Sequence, residues 1–371
     1  MKARHGFGIV IALALVTVAR SGHELPVYPS YYPHEIEIAA VAPERASEPL
    51  QQGKLHAYVG QLRFAGAPPD TVRAVETLGS YVIVRVNPDL YDERACAVSS
   101  AIVRDLAAKT ENFVFHPYPV TPFHGDYLHH ADLADAAKAR ASAMAAESGP
   151  PLKVKASGDL AALIRPDWVA KDAEWDAEIL VVDAAAIMRN ATLAVNGWLA
   201  PPWLKAGWFY AERVLADAVT DPAAKERTET DVRRLATGDY DGLVERINLG
   251  RDLVRGLTSC RKVVAGYTLK REYINVEFSA GIENISYDSI AGLNSPMFLR
   301  TVKLKDFPWN GWLMLGVDGQ ASAAWNPIAG MTDRFGQLMW FAVGDAAVIP
   351  SPYESGWVLN RITDVQQAPA R

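Results

Sequence analysis

No histidine occurs after His130 in this 371-residue chain, and no tryptophan before Trp168. The ionisable group that titrates near neutrality is therefore confined to the front, and the large indole surfaces to the back. Cysteine is nearly absent, with only Cys96 and Cys260. That excludes a cysteine-rich zinc site, and without a Cys-x-x-Cys-His motif it excludes covalently attached c-type haem. There is no Gly-x-Ser-x-Gly elbow, no Gly-x-x-x-x-Gly-Lys phosphate loop and no Gly-x-Gly-x-x-Gly fingerprint. No basic stripe is present, which excludes the usual electrostatic footprint of nucleic-acid binding. Beyond the first twenty residues no apolar run reaches the ~20 residues that span a bilayer core. The candidates at Ile179–Met188 and Trp312–Val317 are broken by Asp183, Arg189 and Asp318.

What is present at the front is a leader. Lys2 and Arg4 precede a mostly apolar run from Gly6 to Ala19, and Ala19 and Ser21 supply small residues for cleavage. Residues 1–21 are therefore expected to be a signal peptide and the chain to be exported to the periplasm. Loss of Lys2, Arg4 and Arg20 moves the formal charge from −6 to −9. In an oxidising compartment two remaining thiols are commonly paired, so a Cys96–Cys260 disulfide stands beside two separately buried thiols as the expectation.

Residues 22–50 read as an extended Tyr/Pro-rich arm, since Pro26, Pro29 and Pro33 remove backbone donors. Glu35–Ile38 alternates polar and apolar, and Leu55–Phe64 is a second expected strand. Pro69–Leu78 reads as helical, Tyr81–Val86 as a strand, Tyr91–Lys109 as an amphipathic helix and Phe113–Phe115 as a short strand. Leu128–Glu147 is an alanine-rich helix, and Leu152–Lys155 and Ile179–Val182 are strands with helical patterns behind them. Phe209–Val219, Ala223–Ala236 and Asp241–Leu257 read as three helices, with Asp221-Pro222 opening the second. Tyr273–Phe278, Leu299–Leu304, Leu313–Val317 and Leu338–Val343 read as strands.

The fold class expected from this rhythm is α/β, mixed α+β in the C-terminal part, with two lobes and a largely parallel or mixed sheet. The lobes are placed at 51–195 and, Trp-rich, at 196–371. Solute-binding proteins share this layout and close two lobes over a ligand, an analogy of architecture alone.

Three constellations carry candidate chemistry. The first is HPYPVTPFHGDYLHHAD, where His116, His124, His129 and His130 are candidate ligands for a transition metal. Its spacing matches no compact metal motif, and on a helix His129 and His130 would diverge by about 100°. A proton-transfer or ligand-polarising role and satisfied surface histidines in a helix-entry loop are the competing readings, with Asp126 as a cap. His23 and His34 lie in the arm, where His23 would offer only adventitious copper chelation. The second constellation is Glu277, Glu283 and Asp288, carboxylates suited to acid/base work if brought together. The third is aromatic: Trp198, Trp203, Trp208, Trp309, Trp312 and Trp325, set beside Gly, Pro or Asn as in a ligand cleft or docking face.

These features imply an exported periplasmic binding or accessory protein that holds a small ligand, or docks a partner enzyme, through a Trp-rich inter-lobe surface. The alternatives are a metal-dependent enzyme built on His116–His130 and a structural subunit of an exported complex. The partners expected are a small molecule or a periplasmic protein, with no nucleic acid and no membrane span after cleavage.

Overall fold

The computed structural model describes residues 30–109, 113–143, 151–156, 158–170, 174–194, 201–322, 324–325, 330–344 and 346–363. The expected signal peptide and Trp198 lie outside these residues. In chain order the elements are β1 (Glu35–Ala40), β2 (Ala57–Val59), β3 (Val72–Val86), α1 (Asp92–Ala107), β4 (Val114–Phe115), α2 (Ala131–Ala143), β5 (Val154–Lys155) and β6 (Ala177–Asp183). They continue with α3 (Ala184–Ala194), α4 (Gly207–Leu215), α5 (Pro222–Thr237), α6 (Gly242–Gly256), β7 (Lys262–Asn275) and β8 (Ile282–Glu283). The last are α7 (Pro296–Thr301), β9 (Lys303–Leu304), β10 (Trp312–Val317), α8 (Arg334–Val343), β11 (Val348–Pro350) and β12 (Trp357–Leu359).

The main sheet is mixed and runs β1-β10-β2-β7-β3-β6-β5, with β4 also on β7. Its outer pairs β1/β10, β10/β2 and β5/β6 are parallel, while the centre around β3 and β7 is antiparallel. This is the α/β class with a mixed sheet that the strand–helix rhythm implied. β3 and β7 form the longest ladder, from Val72↔Asn275 to Arg85↔Lys262, with register shifts at Leu78/Ser80 and Val82/Ile83. At the first shift Gly79 bulges out, and an extra Cβ there would come 3.0 Å from the Lys270 amide.

Side chains along the far half of β3 alternate between two cores, as a period of two requires. Tyr81 and Ile83 enter a cluster with Trp208, Phe209, Tyr210, Val214 and Leu253. Val82, Val84 and Val86 enter another with Val98, Ile102 and Leu106 of α1. The near half of β3 serves a third cluster, where Val75 and Ile274 meet Leu313, Leu315 and Phe298. A fully buried aliphatic such as Ile83 is worth about 1.5–3 kcal/mol. Cys96 on α1 is bonded to Cys260 just before β7, closing a separation of 164 residues.

Several expected elements are corrected. Pro69–Leu78 is not helical: from Val72 it is the first half of β3. β-branched Val72, Val75 and Thr77 suit a pleated surface, and β7 supplies the partner. Leu299–Leu304 is α7 followed by the short β9, because the Ser295 hydroxyl caps Phe298 N–H at 3.3 Å and Pro296 opens the turn. Leu338–Val343 is α8, capped by Asp333 on Gly336 N–H at 2.8 Å. Its apolar run had no periodicity to separate helix from strand. The Tyr273–Phe278 strand is the end of β7 and stops at Asn275. Asp221 does cap α5, accepting from Ala224 N–H at 2.7 Å.

Candidate functional site

The proline-rich loop after β4 turns its histidines inward. His124 is buried, and its Nδ1 accepts from the Thr121 amide at 2.9 Å. The ring proton is thereby assigned to Nε2, which donates to Tyr81 Oη at 3.1 Å, and the Tyr81 hydroxyl donates in turn to Pro119 O at 3.1 Å. Burial drives the His124 pKa down to about 3, so the ring is neutral at pH 7. His130 is buried too, its Nδ1 2.8 Å from Tyr118 Oη. Burial first, and the Arg251 charge second, push it down to about 4. His116 Nε2 donates to Val120 O at 2.9 Å, and burial lowers its pKa as well.

The carboxylates of this loop have structural partners. Asp126 accepts the Gly207 amide at 2.6 Å and so caps α4, an element 81 residues downstream of it. Burial raises its pKa against the pull of the Gly207 and Trp208 amides. Asp132 is exposed and clamped by Arg251 through two bonds of 2.6 Å, which hold it down to about 2. Arg251 also donates to His129 O.

His116, His124, His129 and His130, expected as metal ligands, are thus tied by their rings or backbone to different partners. Among the described residues no group of three His, Cys, Asp or Glu side chains lies together in a way that would hold a metal ion. His34, at the end of the arm, is exposed beside β10 and its amide donates to Gly311 O at 2.8 Å.

Beside this loop lies a charge pair that sequence reasoning missed. Lys205, at the end of the turn Pro202–Lys205, is buried and donates to Asp288 and to Ser351 O. Asp288 is also buried and accepts the Ile290 and Ala291 amides at 2.9 Å through its other oxygen. Burial, and then the Asp288 charge, raise the nearby Tyr210 well above the usual phenol range. Gly125 closes the assembly: a Cβ there would sit 2.6 Å from Tyr353 O, so only glycine lets this backbone approach. A lysine inside the apolar run WLKAGWFYA was the one sequence signal available. Of the expected carboxylate trio, Glu277 bonds to the Ser279 hydroxyl, Glu283 is exposed on β8 and Asp288 pairs with Lys205. The structure does not bring the three together.

The tryptophans separate into distinct settings. Trp203 and Trp208 lie tilted to one another, 5.7 Å apart, against Phe209 and belong to the core around α4. Trp309 and Trp312 are exposed, Trp312 by 57%, where the turn before β10 meets Tyr31. Trp325 is exposed and packs on Trp340 of α8 at 5.9 Å.

Two concavities among the described residues bear on binding. A depression of about 420 Å³ between α4 and α5 is lined mainly by charged side chains such as Glu212, Lys225, Glu229 and Arg233. A groove of about 440 Å³ lies against the near half of β3 and the end of β7. Its lining is Val75, Ile274, Val276, Ile282, Ile285 and Tyr287, with Arg73, Glu283 and Lys305 at the rim. Arg73 is exposed and has no ion pair or hydrogen bond from its side chain among the described residues. Lys305 spends one donor on Val276 O at 2.6 Å. No helix of the described residues is long and apolar enough to cross a membrane.

No protein-family model matches the sequence, and no curated protein matches it. Among solved structures it is similar to HbpA2 from Haemophilus parasuis, with 12% identity, a TM-score of 0.40, 70% of this chain covered and 55% of that one. It is similar to the oligopeptide-binding protein AppA from Bacillus subtilis in complex with a nonapeptide (10% identity, TM-score 0.37, 70% and 58% covered). NikA from Brucella suis in complex with Fe(III)-EDTA aligns at 11% identity and a TM-score of 0.31, over 60% and 51%. The chain spans little more than half the length of each of these structures. At such identities and TM-scores the likeness assigns it to no family.

Proposed function

We propose that the chain is an exported ligand-binding protein that takes its ligand in the groove beside the β3–β7 ladder. The observation that carries this reading is the groove itself: aliphatic side chains beside a few charged groups, and an arginine with no partner among the described residues. Its 440 Å³ falls within the roughly 300–1,000 Å³ usual for ligand sites. The Cys96–Cys260 bond supports export, because such bonds persist in oxidising compartments. The sheet supports it too, since two long strands carry the chain between two sets of cores and could serve as the crossing points of two lobes.

The test is a thermal-shift screen of the whole protein against amino acids, organic acids, sugars and peptides, repeated on Val276→Trp, a half-buried lining position on the same face as Ile274. A ligand that raises Tm in the parent and not in the variant supports the reading. Hits that ignore Val276→Trp, or no hits at all, overturn it.

A second reading, docking of an exported partner, draws on the exposed Trp309, Trp312 and Trp325. Co-purification from the periplasm, lost in a Trp309→Ser/Trp312→Ser variant, would favour it over the groove.

A further inference from the structure

β3 is paired on one edge along its whole length and on the other edge along only half. β7 covers it from Val72 to Arg85, whereas β6 pairs only with Ser80–Val86. The other edge of Val72–Leu78 has no strand partner among the described residues. Which groups face that edge follows from the register. The Val276 amide donates to Thr71 O at 2.7 Å, whereas the Asn275 amide points the opposite way, to His56 O at 2.8 Å. Bonded pairs in an antiparallel ladder alternate, so Arg73, Val75 and Thr77 spend their backbone groups on β7. Ala74 and Glu76 present theirs to the open side. The two ends of the stretch are closed, because the Val72 amide donates to Pro69 O at 2.9 Å and the Leu78 amide to Ser289 O at 3.0 Å. Between these stops lie two amides and two carbonyls in strand spacing, directly beside the groove.

We propose that the ligand of this groove is an extended peptide with an acidic side chain, added as a strand to the open edge of β3 at Ala74 and Glu76. The inference rests on the groove being the binding site and names its ligand class. Main-chain bonds to an open edge supply affinity, and alternate side chains supply selection. Selection here has two parts. Arg73 at the rim is an unpaired cation, and Lys305 adds a second positive charge against the single carboxylate of Glu283. Glu76 adds little to that balance, being held by Arg271 at 2.8 Å. Val276, Ile285 and Tyr287, half-buried in the lining, offer an apolar seat in the same groove. The preferred sequence therefore places an acidic residue two positions from an aliphatic one.

The experiment uses the whole protein and a positional library of blocked, fluorescein-labelled hexapeptides that alternate threonine with a varied residue, read by fluorescence polarisation. Enrichment of Asp or Glu two positions from Val, Ile or Leu is the expected result. Methylating the peptide nitrogens that face Ala74 and Glu76 should weaken the best binder by about tenfold or more, the value of one or two net hydrogen bonds. Arg73→Glu should move the preference from acidic to basic peptides, and its circular dichroism and Tm show that it folds. Binding that ignores both methylation and Arg73→Glu overturns the proposal and leaves the groove reading standing if Val276→Trp still blocks it. A groove that takes only small molecules from the thermal-shift screen also overturns the proposal alone. A groove that takes nothing removes both.

Discussion

The loop His116–Asp132 and the groove beside Val72–Leu78 are opposites. The loop is dense in histidine and carboxylate, yet its buried rings and the Asp126 cap have partners inside the protein. The groove is lined mostly by aliphatic residues, yet it keeps an arginine and two residues of main chain without partners among the described residues. Chemical promise in a side chain is consumed when folding satisfies it. What remains available for binding is what folding leaves unsatisfied at the surface. Changes around the loop should therefore cost stability, and changes in the groove should cost binding.

The largest expected effect is at the buried pair beside the loop. Asp288→Ala leaves Lys205 with no carboxylate partner and should destabilise by about 3–5 kcal/mol in denaturant unfolding. A loss below 1 kcal/mol would show that Lys205 finds water or another acceptor. Next comes Cys96→Ala with Cys260→Ala, expected to cost about 3 kcal/mol through the denatured chain while leaving groove binding unchanged. Equal stability of the oxidised and reduced protein would contradict that.

The pH dependence follows from His124 and His130. Both bind a proton more weakly folded than unfolded, with values of about 3 and about 4 against an ordinary 6.5. Their contribution is complete above 6.5 and is lost as pH falls from there towards 4. A few kcal/mol should disappear over that window in urea titrations. Asp126, whose pKa is raised, works in the other direction and only in the carboxylate range. Stability that stays flat from pH 7 to 4.5 would mean the two rings titrate normally. The smallest effect on stability belongs to the groove: Arg73→Ala, at an exposed and unpaired site, should change it by less than about 0.5 kcal/mol while reducing ligand affinity. A large stability loss there would erase the contrast.

Parts of this arrangement were legible from the residues. Asp221-Pro222 announced α5 because capping is local, and the alternation in Glu35–Ile38 announced β1. Two cysteines in a chain expected to be exported made their pairing one of two expectations, beside separately buried thiols, and the structure pairs them. Val72–Leu78 reads as helical in isolation because the strand that pairs with it, Leu269–Asn275, lies about two hundred residues away. The histidines looked reactive because their spacing cannot reveal Thr121, Tyr81 and Tyr118 as partners. Trp203 and Trp208 looked like a cleft because a Gly/Pro setting cannot show that they pack on Phe209. The groove was invisible for a different reason. It draws on residues near 74, 275, 284 and 305, none of which is unusual alone.

Amide hydrogen exchange at single-residue resolution tests the account most directly. With the best acidic hexapeptide bound, the Ala74 and Glu76 amides should slow by about tenfold or more, while Val75, already bonded to β7, changes little. Unchanged rates at Ala74 and Glu76 in a saturated complex would contradict strand addition at this edge.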